Sequence, residues 1–205
     1  MTKEEIIRKC LAEFLKKGIR KMTLKDIVAN LGISTKTMYR HFADKESLLK
    51  ACLHVHYNEL FEGMKHLLQE PSSPVKKLFT IWITSVDLDF GTSHLFYADL
   101  NYYYPALQDK ELKNIGKKLA ATVLKLFDDG KRQNLFRREL NSAIILEGLS
   151  SLYSMLTRTH KFKKFSDDAF VVAENTIVVY LRGLCTAKGL KEIESYKSLT
   201  TFIKK

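Results

Sequence analysis

With 205 residues, 45% hydrophobic and 28% charged, the chain can bury a substantial core, and only 9 Gly and 3 Pro punctuate it, which favours long helices over many short strands. No apolar run approaches the roughly 20 residues that span a bilayer, and the opening MTKEEIIRKC reads as a charged amphipathic helix rather than a signal peptide, so a cytoplasmic protein with no membrane partner is expected. The net charge of +11 is uneven: residues 1–56 hold 12 Lys/Arg against 6 Asp/Glu while the other 149 hold 22 against 17, and this concentration favours a polyanion bound at the N-terminal part.

The pattern predicts a first helix over 3–17. Thr2 and Glu5 form a capping box at its start, Ile6, Cys10 or Leu11, and Phe14 make its buried stripe, and Gly18 ends it. Two short helices follow, at about 24–31 and 35–41. Thr23 with Asp26 resembles a capping box in which Asp replaces the usual Glu or Gln. Ile27, Val28 and Leu31 give the first of them an apolar face, Gly32 is its left-handed stop, and Ser34 caps the second. There Met38 and Phe42 lie four apart and face inward with Ile33 just before them, which leaves Thr35, Lys36, Tyr39 and Arg40 outward. Asp44 caps a longer helix from Lys45 to about Gln69, with apolar Leu48, Leu49 and Leu53.

Two such short helices joined by a glycine turn bury little alone, but they can lay one polar helix in a DNA groove while the other holds it there. The plainer alternative is a helical hairpin with a solvated face. It fits less well, because no Asp or Glu lies between Asp26 and Asp44, and a solvated helix has no need of an exposed Tyr beside Lys, Arg and His. Thr35, Lys36 and Thr37, at the helix start beside Ser34, are the expected base readers: Lys donates to guanine O6 and N7, and Thr offers a hydroxyl or a methyl. Tyr39, Arg40, His41 and Lys45 are assigned to phosphates, which position without reading sequence. Thr23, at a helix N-terminus, is a further phosphate candidate, and His41 fits a brace for the turn equally well.

The run Thr23-Leu24, Ile27-Val28, Leu31-Gly32-Ile33-Ser34, Thr37-Met38-Tyr39-Arg40-His41-Phe42 and Lys45-Glu46-Ser47-Leu48-Leu49 resembles the N-terminal DNA-binding domain of TetR-type bacterial regulators. It covers about the first quarter of the chain, and the rest is similar in length, helical content and charge pattern. The resemblance implies an all-α protein with a helix-turn-helix head over residues 1–46 and an effector-binding and dimerisation body over 47–205. It implies a homodimeric, ligand-responsive regulator that represses by occupying a palindromic operator, activation being the alternative. The helix over 45–69 would join head to body, and an unidentified small-molecule effector would tilt it and change the spacing of the two heads.

Beyond that helix, Pro71-Ser72-Ser73-Pro74 is a break. The segment 75–89 reads helical, with Leu78, Phe79, Trp82, Ile83 and Val86 on one side, and Gly91-Thr92 interrupts it. HLFYADLNYYYPAL is the most aromatic stretch, and Pro105 then opens a helix to about Phe127, ended by Asp128-Asp129-Gly130. Pockets are mostly apolar with a few polar groups, so Trp82, Phe90, His94, Phe96, Tyr97, Tyr102, Tyr103 and Tyr104 are the effector candidates, each of which fits core packing as well. Helices are expected over 142–159 after Asn141 and over 167–186 after Ser166, and the basic segment 189–205 reads as a short extra helix or a loose tail. The first of these has a stripe of Ile145, Leu149, Leu152 and Leu156, with small residues around it. The second is apolar on several sides, through Phe170, Ile177, Leu181 and Leu184 and also Val171, Val178 and Cys185. Such a helix is either internal or shared with a partner, and the resemblance places the four-helix bundle of a homodimer on this pair.

Cys10, Cys52 and Cys185 make no disulfide framework and have no zinc spacing, and Cys52 with His56 supplies two ligands at most, so no metal or cofactor is expected. With no Walker loop, GxGxxG, GxSxG or HExxH in the chain, no catalytic residue is assigned. Two rivals stay open: a non-sequence-specific architectural DNA binder, and a helical enzyme acting on an acidic substrate.

Overall fold

The computed structural model describes residues 1–159 and 161–200, and the side chains of all of these except 109–112, 114–115 and 195–200. Among them the regular elements are helices: α1 (Lys3–Lys17), α2 (Leu24–Leu31), α3 (Thr35–His41), α4 (Lys45–Gln69), α5 (Pro74–Phe90), α6 (His94–Tyr103), α7 (Pro105–Arg132), α8 (Ser142–Arg158), α9 (Ala169–Ala173), a π-helical turn (Glu174–Val178), α10 (Val179–Leu184) and α11 (Ala187–Thr200). One isolated antiparallel bridge pairs Phe136 with Cys185. The all-α expectation holds. The expected basic tail is helical as far as Thr200, and its last residues, 201–205, lie outside the described residues.

The chain forms two compact units, residues 1–63 with 91–116, and residues 64–90 with 117–205. In the first unit the helix ends follow local chemistry. Thr2 and Glu5 exchange backbone-to-side-chain hydrogen bonds of 3.2 and 2.7 Å, and Thr23 and Asp26 do the same at 3.2 and 2.9 Å, so Asp serves in the capping box here. Gly32 ends α2 at φ 63°, ψ 32°, where only glycine avoids a Cβ penalty. The Ser34 hydroxyl accepts the Thr37 N–H at 3.0 Å, and Asp44 accepts that of Ser47 at 2.7 Å. Ile6, Phe14, Ile27, Met38, Leu48, Leu49 and Leu53 fill the core, together with Phe96, Tyr97 and Leu100 from α6. The first unit therefore extends past residue 46 and draws part of its core from the aromatic stretch that follows Gly91.

In the second unit Val75, Leu78, Phe79, Trp82 and Val86 of α5 pack with Phe127, Phe136, Ile145, Leu149, Leu156, Ile177 and Leu181. Helix α7 runs through Asp128-Asp129-Gly130 rather than stopping there. Gly130 has a different purpose: a Cβ on it would lie 2.3 Å from the Phe136 ring, so its bareness admits that side chain. The expected helix over 167–186 is split by the π turn, which inserts about one residue into the periodicity. Asn175 Nδ2 and Thr176 Oγ1 donate to the carbonyls of Val171 and Val172 at 2.8 and 2.6 Å within it.

The late helices turn differently from the expected interface. Ile145, Leu149, Leu156, Ile177, Leu181 and Leu184 are buried in the second unit's own core, and Leu152 and Phe170 are half-buried. The six buried ones are already covered within one chain. The apolar residues left outside are Ile144, 70% exposed, Val179, 60% exposed, and Val171 and Tyr180. The stripe that periodicity picked out is the inward one.

Candidate DNA-binding surface

Helix α3 is held by its inward residues. Met38 is fully buried and Phe42 nearly so, while Ile27 of α2 meets them in the same core. Fixing those positions on a seven-residue helix fixes the opposite face. Thr35, Lys36, Tyr39 and Arg40 all lie exposed on it, with Tyr39 54% exposed despite its large ring. The face presents a hydroxyl, an ammonium, a phenol and a guanidinium, and no carboxylate.

The remaining expected contact residues have local duties. Thr37 is half-buried and its hydroxyl lies 2.9 Å from the Ser34 hydroxyl, so both belong to the N-cap of α3. Thr23 is exposed, and its hydroxyl donates to Asp26 at 2.6 Å. That bond, with the Thr23 backbone N–H, holds the Asp26 carboxyl below its usual range. His41 is half-buried, its ring tilted 6.3 Å from that of Phe42 and its Nε2 enclosed without a hydrogen-bond partner. Lys45 turns inward: its ammonium donates to the Ile19 carbonyl at 2.6 Å. Partial burial lowers its pKa, opposed by the charges of Asp99 and Asp26.

Sequence reasoning passed over the turn between α1 and α2. Arg20 is exposed there, with its guanidinium 5.0 Å from the centroid of the Tyr103 ring. The Ile19 and Arg20 N–H groups donate to Asp99, which stands 80 residues from Ile19 in sequence. No local signal links residues so far apart.

The eight effector candidates are divided between the units. Phe96 and Tyr97 are buried in the first unit's core, with Tyr104 packed against it. Tyr102 and Tyr103 are exposed, edge to face at 4.8 Å, and His94 is exposed as well. Trp82 and Phe90 are buried in the second unit. The Trp82 ring lies edge-on to Tyr153 at 5.9 Å, the Tyr153 hydroxyl donates to the buried Asp89 carboxylate, and the indole Nε1 has no hydrogen-bond partner. Among the described residues no group of three or more His, Cys, Asp and Glu is placed to hold a metal ion, and no helix is long and apolar enough to cross a membrane.

The chain is similar to known proteins over its head and in its fold. A curated relative, the HTH-type transcriptional repressor KstR2 of Mycolicibacterium smegmatis, is 26% identical over 85 residues, 42% of this chain and 42% of that protein. The chain therefore spans about two fifths of the length of the curated relative it matches. The solved structure of the ketosteroid transcriptional regulator KstR2 of Mycobacterium tuberculosis superposes with a TM-score of 0.67 at 17% identity, covering 90% of this chain and 95% of that one. The regulator FadR of Bacillus subtilis, solved in complex with stearoyl-CoA, superposes with a TM-score of 0.70 at 15% identity, covering 89% and 100%. Residues 6–52, the helices just described, match the family of bacterial regulatory proteins, tetR family. Over this head the chain is similar to the bacterial regulatory proteins of the tetR family.

Proposed function

We propose that the protein is a sequence-specific DNA-binding transcription regulator, working as a homodimer and repressing by occupancy of a palindromic operator. The observation that carries this reading is the acid-free outward face of α3, Thr35, Lys36, Tyr39 and Arg40, set by two capped helices and a left-handed Gly32. Lys36 and Thr35 are the base readers, and Tyr39 and Arg40 take phosphates. Selection from a random duplex pool, followed by footprinting against scrambled competitor, tests it. A regulator enriches one palindrome. Equal binding to scrambled duplex at moderate salt rejects the reading in favour of an architectural binder.

Dimerisation is supported by the outward side of α8 and α10. Ile144, Val179 and Tyr180 line a shallow groove there of about 420 Å³, together with Leu140 and Gly183. One recognition helix reads too few bases to specify a site, so a second copy is also what the head requires.

The effector reading rests on Trp82. Its indole N–H has no hydrogen-bond partner, and the Asp89–Tyr153 pair and Thr157 are further polar groups among the apolar residues of the second unit, a mixture that ligand sites use. A lipophilic effector suits apolar surroundings of this kind. The ketosteroid regulator and the stearoyl-CoA complex among the structural neighbours support the same class.

A further inference from the structure

The turn that follows α1 is gripped from both sides of its backbone. On one side Asp99 of α6 accepts two main-chain N–H groups on a single oxygen, Ile19 at 2.8 Å and Arg20 at 2.7 Å. On the other, the Lys45 ammonium donates to the Ile19 carbonyl at 2.6 Å. Nearby the Ser93 N–H donates to the Leu15 carbonyl at 2.7 Å. Gly18 makes the approach possible. It sits at φ +84°, and a Cβ there would lie 2.9 Å from Leu95 Cβ and 3.0 Å from Asp99 Oδ2. Ile19 itself is fully buried, which seats the turn in the first unit's core.

We infer that Asp99 is a positioning residue for DNA recognition: its carboxylate fixes the α1–α2 turn and so the angle at which α2 and α3 leave α1. The inference rests on the DNA-binding reading above and adds a residue that touches no DNA. The turn leads within three residues of Arg20 to Thr23, the N-cap of α2, and α2 and α3 share the buried Ile27–Met38 contact region. One oxygen that accepts two successive backbone N–H groups constrains the turn in direction as well as distance, and a small shift of a recognition helix breaks base-edge geometry while leaving diffuse phosphate attraction nearly unchanged.

Simple electrostatics gives the opposite sign. Removing an acid from a basic head strengthens its pull on a polyanion. The two roles are therefore separable with the full-length protein and three variants. Asp99→Ala removes the acceptor. Asp99→Asn keeps an oxygen at the same reach without the charge. Asp99→Glu keeps the charge and misplaces the oxygen by a methylene. Each is first required to melt cooperatively, and Asn and Glu decide the matter if Ala does not. Two readouts are taken: amide hydrogen exchange over residues 15–42 in the absence of DNA, and the affinity ratio between a duplex selected from a random pool and a scrambled duplex at one salt concentration.

Ala and Glu are expected to lose protection at Ile19 and Arg20, with the loss spreading into α2. Their selected-to-scrambled ratio should fall at least tenfold, while scrambled affinity under Ala stays level or tightens. Asn should recover most of both signals. The inference is overturned if Ala and Glu keep protection and ratio within twofold of wild type, or if Glu matches wild type while Asn fails, which would make the charge and not the geometry the active property. Should the wild type prefer no selected duplex at all, the regulator reading falls, and the exchange data still decide whether Asp99 fixes the turn.

Discussion

Lys36 and Lys45 are both lysines of the head, and they stand in opposite surroundings. Lys36 is exposed on the outward face of α3, whereas Lys45 is half-buried and bonded to Ile19. Lys36→Ala is expected to cost about 1–3 kcal/mol of operator affinity and to relax preference at one position, read by repeating the duplex selection with the variant. Arg40→Ala should weaken all duplexes alike and lower the slope of log K against log salt by about one. Lys45→Ala should leave that slope unchanged and instead cost about 1 kcal/mol of stability in a denaturant melt, since it orphans a carbonyl at the α1–α2 turn. A slope that falls by one with Lys45→Ala would return that lysine to the phosphates. The sequence exposed the outward face of α3, because Met38 and Phe42 fix it by period alone. It hid the partner of Lys45, because Ile19 is 26 residues upstream and nothing local marks its carbonyl as an acceptor. The cysteines differ in kind. All three are free and buried, and burial pushes Cys10 up to about 11 and Cys185 up to about 12, with Cys52 also raised. The thiolate is the reactive form, so a thiol reagent at neutral pH should label none of them in the native protein and all three after denaturation. Rapid native labelling would reveal an opening of the core that this structure does not contain.

At the scale of the element, the question is which side of a helix faces what. The spacing of apolar residues located the late helices well and chose their inner faces, since the most regular stripe is the one a single chain's core demands. The outer face is harder to read for a physical reason: the π turn over Glu174–Val178 shifts the phase of the helix by about one residue, so a 3.6-residue period does not carry a face across it. The consequence is two kinds of substitution with different outcomes. Ile177→Glu places a charge at a fully buried position and should cost more than about 4 kcal/mol, giving an unfolded or insoluble protein. Ile144→Glu and Val179→Glu lie on exposed sites and should leave the melting temperature of the protomer close to wild type while shifting sedimentation at micromolar concentration from dimer to monomer. Both outer variants sedimenting as the wild type does would place the dimer contact elsewhere. The aromatic stretch after Gly91 shows the same limit of pattern reading. Its composition suits a ligand pocket and a core equally, and only the fold buries Phe96 and Tyr97 in the first unit and leaves Tyr102 and Tyr103 exposed.

For the whole molecule the issue is how a ligand in one unit could matter to DNA at the other. Two helices are continuous through the division: α4 belongs to the first unit up to Gly63 and to the second from Met64, and α7 passes from one to the other after Gly116. Such elements can carry a two-state difference, but a ligand shifts the balance only by the difference in its affinity for the two states. Linkage then fixes a reciprocal quantity. A ligand that lowers operator affinity tenfold must itself bind the DNA-loaded protein tenfold more weakly, about 1.4 kcal/mol in each direction. A panel holding a long-chain acyl-CoA and a ketosteroid serves as the probe. A member that acts should raise the melting temperature of the free protein, and the same factor should appear in the DNA and the ligand titrations. Trp82→Phe removes the unpaired indole N–H and keeps most of the apolar volume, so the core should melt nearly as before and operator affinity should stay within about twofold. Ligand affinity should fall by about 1–3 kcal/mol, the cost of losing a buried hydrogen bond. If the ligand acts and Trp82→Phe responds as the wild type does, the effector lies away from Trp82. If no member shifts either the melt or the DNA titration, lipophilic ligands of these two kinds are not its effectors, and the acid-free face of α3 remains the ground for DNA binding by itself.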